Sequence, residues 1–188
     1  MDPVKLYALA DDLLGHVRTV SDSILPAGYR FERSHVVNGP APLDGIEECV
    51  EHLVVWAEMI APTEAFPAPA GRALTCAGMG NMVQLTVQSL RCEPILDERG
   101  FPTDVERDAA ARLVYVDAWI AWNACTEWAL ARNAADDESA LLISGSPVPP
   151  SRVAGWETRL LVEVDYCQAG PPHVPFPAGF FDPIEPRS

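Results

Sequence analysis

The chain of 188 residues sets 27 acidic against 13 basic side chains, a formal net charge of −14, on a composition 48% hydrophobic and 21% charged. That length suits one domain with a proper core. The acidic balance excludes a body that wraps nucleic acid, because phosphate binding needs clustered Lys and Arg.

Five scattered cysteines without a CxxC spacing read as reduced, buried thiols and not as a disulfide frame. The opening MDPVKLYALADD has no basic-then-apolar leader pattern, and no run reaches the ~18 apolar residues of a membrane span. The expectation is a soluble product of a cytoplasm.

A first helix is expected over residues 3–22, with Asp2 as N-cap and Pro3 where its missing N–H is harmless. Leu6, Leu9, Leu13, Val17 and Val20 recur at helical spacing and mark its core face. Residues 29–37 alternate as a half-exposed strand, Tyr29, Phe31, His35 and Val37 against Arg30, Glu32 and Ser34. His35 reads there as a strand-face residue and not as a ligand. The stretch 38–45 is loop chemistry throughout.

Residues 49–60 read as a second strand, apolar on both faces from Leu53 to Ala57. Cys49 and His52 stand at CxxH spacing, but zinc normally needs three or four ligands and no companion pair appears. The Pro- and Gly-rich 61–80 reads as a long connection. Its GMGN lacks the residues of a phosphate loop. Residues 81–92 form the clearest half-buried strand, with Val83, Leu85 and Val87 inward and Gln84, Thr86 and Gln88 outward.

A long helix is expected from a Thr103–Glu106 capping box to about Asn133, roughly 46 Å at 1.5 Å per residue. One apolar stripe runs through Ala109, Leu113, Val116, Ile120, Ala124 and Trp128. A second, Tyr115, Trp119 and Trp122, lies well round the cylinder. A helix apolar nearly all round is buried on more than one side. The second stripe therefore calls for a cover, either a partner subunit or a long loop of the same chain. Asp117 reads as a polar-face or interface residue and not as a catalytic acid.

Residues 135–155 are acidic and then rich in Pro, Ser and Gly, a loop pattern. Residues 156–167 alternate almost without a break as a last strand. The arm 168–188 holds six Pro with Phe176, Phe180 and Phe181, apolar groups that call for a groove, a neighbour's in preference to its own.

These elements give an α+β expectation. It is an about four-stranded, mostly antiparallel sheet with an N-terminal helix and a long central helix packed on one face, long Pro-rich loops and an extended C-terminal arm. Residues 1–167 form the domain and 168–188 the arm. His16, His35, His52 and His173 fall in no triad or HExxH pattern, and acidic pairs such as Asp136–Asp137 read as solvation. The expectation is no catalytic residue, no metal and no cofactor.

The element order, with CVEHLVVW, SLRCEP, DVERDAAARL and AGWETRLLVEVDYC in sequence, resembles the tail terminator proteins of long-tailed (siphovirus-type) bacteriophages, the actinobacteriophage kind in particular, over residues 3–167. The resemblance implies a structural virion protein at the tail–neck junction, assembled in the host cytoplasm as a homohexameric ring. Such a ring caps the tail tube protein, ends tube polymerisation and receives the neck, stopper or connector protein. DNA passes through its lumen without specific binding, and no membrane is involved. Six copies would carry about −84 formal charges, which repel phosphate within about a Debye length. The interface candidates are Tyr115, Trp119, Trp122, Phe176, Phe180 and Phe181. Another neck component, or a cytoplasmic α+β enzyme or ligand-binding domain, is the competing reading.

Overall fold

Helix α1 (Pro3–Ile24) buries Leu9, Ala10, Leu13, Leu14 and Val17, a stripe that repeats about every turn. Buried Leu25 and a single 3-10 turn at Ala27–Tyr29 redirect the chain. The computed structural model describes residues 3–39, 50–69, 80–93, 101–135, 139–148 and 153–164. Expectations placed on Asp2, Cys49, residues 40–45 and the 168–188 arm, with Phe176, Phe180 and Phe181, lie outside these.

The strands are β1 (Arg33–Val36), β2 (His52–Ala65), β3 (Ala68–Pro69), β4 (Gly80–Cys92), β5 (Ala140–Pro147) and β6 (Val153–Val164), with helix α2 (Asp104–Ala134) between β4 and β5. They form one mixed six-stranded sheet in the order β1-β2-β4-β6-β5, with β3 paired to the end of β2. The β1–β2 pair is parallel and the other pairs are antiparallel. The fold is α+β with mostly antiparallel pairing, as the patterning predicts, but the four-strand count and the strand bounds need correcting in three places.

First, residues 140–147 are a strand and not a loop. Leu141, Leu142 and Ile143 supply β-competent side chains, and β5 is an edge strand, where Gly145 and Pro147 are tolerated. Second, β2 continues through Pro62 to Ala65, because its pairing with β4 extends to Thr63 opposite Gly80. That pairing outweighs the Pro-rich composition. A cis Phe66–Pro67 peptide then turns the chain into β3. Third, only Arg33–Val36 of the first expected strand is extended, and its register reverses the expected faces. Val36 packs on the main core, whereas His35 lies opposite Val54.

Both helices pack on one face of the sheet. Leu53 and Val55 of β2, Val83, Leu85 and Val87 of β4, and Leu160, Val162 and Val164 of β6 meet α1 and the C-terminal half of α2 there. Trp128 Nε1 donates to Asp12 Oδ2 at 2.8 Å and joins the two helices. Asn133 exchanges two hydrogen bonds with the backbone of Ala140 (2.9 and 2.6 Å), fixing where β5 begins. A smaller cluster of Val54, Trp56, Leu90, Val148 and Val153 occupies the opposite face.

Close packing at the start of β6 depends on Gly155. A Cβ there would stand 2.1 Å from the Ser89 carbonyl oxygen and 2.8 Å from Leu90 Cδ2. A backbone carbonyl in a ladder cannot swing aside, so Gly155→Ala should destabilise the fold by about 1–3 kcal/mol through overpacking. A lowered urea midpoint is the expected result; an unchanged one would mean that β4 and β6 separate freely.

Candidate subunit interface

Helix α2 opens with the predicted capping box. Thr103 Oγ1 accepts from the Glu106 N–H at 3.2 Å, and Glu106 Oε2 accepts from the Thr103 N–H at 2.7 Å. The helix then behaves as two halves. Every buried residue lies from Asp117 onward, namely Asp117, Ala118, Ile120, Ala121, Ala124, Cys125, Trp128 and Ala129. Asp104–Val116 has none and stands away from the sheet. The first expected stripe therefore holds from Ile120 to Trp128, whereas Ala109 is exposed and Val116 is 40% exposed.

The second stripe is exposed. Tyr115 is 70%, Trp119 59% and Trp122 43% open to solvent. At 100° per residue these three lie on the side of α2 opposite Asp117, Ala124 and Trp128, so no rotation of the helix could bury both sets. Polar neighbours do not shield the rings. Asn123 Nδ2 donates back to the Trp119 carbonyl at 2.7 Å, and Thr126 Oγ1 to the Trp122 carbonyl at 2.8 Å. Phe101 (85% exposed) and Val105 (78%) are also open near the start of the helix, separated from the stripe by the exposed Arg112–Asp108 ion pair at 2.7 Å.

A buried ionic cluster adds to the core packing that holds α2 in place. Arg91 of β4 donates to both carboxylate oxygens of Asp117, Nε to Oδ2 at 2.7 Å and Nη2 to Oδ1 at 2.8 Å. Its Nη1 donates to Glu51, and the Phe31 ring lies 4.0 Å from its guanidinium carbon. Arg91 and Asp117 are each 2% exposed. Burial pushes the Asp117 carboxyl above its usual range, and the two guanidinium hydrogen bonds pull against that. Burial alone would loosen the Arg91 proton, but Asp117 and Glu51 hold it more firmly than usual. Asp117 is thus a buried structural anchor and not the polar-face or interface residue expected.

Between the raised half of α2 and the β5–β6 end of the sheet lies a cleft of about 350 Å³. Ala110, Ala111, Val114 and Tyr115 form its helix wall, and Pro147, Val148 and Trp156 face them. Glu93 and Arg107 are its charged members, and Arg107 is already engaged with Asp104 at 2.9 Å.

On the sheet face opposite the helices, Glu58 Oε2 accepts from Gln84 Nε2 (2.6 Å), Thr86 Oγ1 (2.8 Å) and Arg159 Nε (3.2 Å). Arg159 also holds Glu157, which accepts from Gln88 Nε2. Burial works to raise the Glu58 carboxyl, but the bonds from Thr86, Gln84 and Arg159 outweigh it and hold it below its usual range. Thr86 and Gln88 are 0% and 1% exposed, so two of the three expected outward residues of β4 are buried members of a polar lattice.

At the β1–β2 edge the rings of His35 and His52 stand 5.7 Å apart, edge to face. Burial, then the charges of His35 and Arg33, hold the His52 imidazole below 6.5, with Glu32 acting weakly the other way. The unfolded chain then takes up this proton first. Stability from neutral His52 is complete above about pH 6.5 and falls as the pH drops below it. A urea midpoint that declines from pH 7 to 5, less steeply in His52→Gln, is the expected result; parallel declines would clear His52 of the effect. Among the described residues no group of three His, Cys, Asp or Glu could hold a metal ion.

The thiols divide. Cys125 is free and buried, its pKa pushed up to about 12, which makes it inert. Cys92 is disulfide-bonded, which corrects the expectation of five reduced thiols. Cysteine spacing alone does not reveal which thiols pair.

The described residues form an α+β fold with an exposed aromatic stripe on α2. No helix among the described residues is long and apolar enough to cross a membrane. No protein-family model matches the chain, and no curated protein matches it.

Proposed function

We propose that the chain is the subunit of a homohexameric ring that caps a phage tail tube, ends its polymerisation and receives the neck. In this reading residues 1–167 form the ring body, 168–188 an arm, and DNA passes through the lumen unbound. The observation that carries it is the Tyr115–Trp119–Trp122 stripe, three large aromatics held open to water on the side of α2 opposite the core. Apolar surface of this kind marks interaction sites, and Tyr and Trp are enriched among the residues that dominate interfaces. The tail-terminator assignment itself rests on the resemblance in element order, and the net charge of −14 suits a conduit that repels phosphate.

Native mass spectrometry and light scattering test the ring, with an assembly near six times 20.4 kDa expected. Adding the protein to polymerising tail tube protein tests the cap. Tubes should stop growing and carry the protein at one end. A protein that binds the neck but leaves tube growth unchanged would belong to a stopper instead, and tight duplex binding at 150 mM salt would sink the conduit reading.

A further inference from the structure

The cleft under the raised half of α2 is a gap in the helix–sheet layer, and its chemistry selects what can fill it. Small Ala110 and Ala111, Val114, Pro147, Val148 and the Tyr115 and Trp156 rings offer mostly apolar walls, with Glu93 and Arg107 as the charged groups among the described lining residues. An ordinary peptide would bury unpaired N–H groups there, each losing its hydrogen bond to water. A proline-rich peptide has fewer donors to lose and packs well against aromatic rings. The chain holds one such segment, 168–188, with six Pro, three Phe and only Asp182, Glu185 and Arg187 as charged residues. Its near-neutral charge lets it approach an acidic copy without strong repulsion.

We infer that the cleft receives the 168–188 arm of a second copy of this chain; the inference rests on the ring reading above. Two observations favour a neighbour's arm over the chain's own. β6 passes the cleft at Val153–Trp156 and leaves the described structure at Val164, about 26 Å farther along the sheet. The straight way back along the helix-side face is filled, because α2 packs there against Leu160, Val162 and Val164. Tyr115, moreover, belongs both to the cleft and to the exposed stripe, so the cleft opens where a neighbour would lie.

The test uses the full chain. An unlabelled copy carrying the photoreactive residue benzoylphenylalanine in place of Phe180 is co-refolded with a 15N-labelled copy, irradiated and mapped by mass spectrometry. The expected product joins the unlabelled arm to labelled residues 107–115 or 147–156. Ala111→Arg in the labelled copy, an exposed position on α2, should cut that product about tenfold or more while helix content stays unchanged. Cross-links confined to one isotope, to another surface, or unaffected by Ala111→Arg overturn the inference. Native mass on the same mixtures separates the two readings: an intact ring with cross-links elsewhere removes the arm and keeps the ring, and a monomer removes both.

Discussion

Replacing Trp119 and Trp122 together with glutamate should leave the subunit folded and abolish its self-association. Trp119 is 59% and Trp122 43% exposed and neither belongs to the main core, so the thermal midpoint should move by less than about 2 °C. An aromatic anchor at an interface is worth at least about 2 kcal/mol, and two of them amount to roughly a thousandfold weaker association. Two new carboxylates on a body of net charge −14 add repulsion in the same direction. The Trp119→Ser, Trp122→Ser pair separates the terms, because it removes the rings without adding charge. Light scattering decides the matter. If the wild type assembles and the glutamate variant does too, the interface lies on another surface.

The second large effect concerns the Arg91–Asp117 pair. Asp117→Ala leaves a guanidinium 2% exposed facing an apolar gap, with Glu51 as its remaining carboxylate. Breaking one side of a buried pair costs about 3–5 kcal/mol. Against a total of about 5–15 kcal/mol, that brings the fold close to its limit. The double variant Arg91→Met, Asp117→Leu should recover most of the loss, since replacing both charges by apolar groups of similar volume is often neutral or stabilising. Urea melts of wild type, both single variants and the double close the cycle. A single-variant cost below about 1 kcal/mol would show that water reaches the pair.

Much of the fold was legible because local chemistry and tertiary packing agree there. The Leu9, Leu13, Val17 spacing, the Thr103–Glu106 box, the inward Val83, Leu85 and Val87 of β4, and the alternation of β6 each describe elements that pack as their patterns require. What was illegible depends on partners distant in sequence. Arg91 and Asp117 are 26 residues apart, and neither has a local signal that it is buried. β5 is concealed by Gly145 and Pro147, which an edge strand tolerates. Thr86 and Gln88 are polar and read as outward, yet they lie buried in a lattice that crosses three strands. The exposed stripe was legible as a second apolar face of α2, because its spacing belongs to a single helix.

The division of α2 into a gripped half and a raised half makes it a lever. Arg91 and Phe31 hold it at Asp117, and the thirteen residues back to Asp104 form an arm of roughly 20 Å. A tilt of about 10° at that fulcrum carries the tip some 3–4 Å. Such a tilt displaces Val105, twelve residues from Asp117, far more than Tyr115, two residues from it.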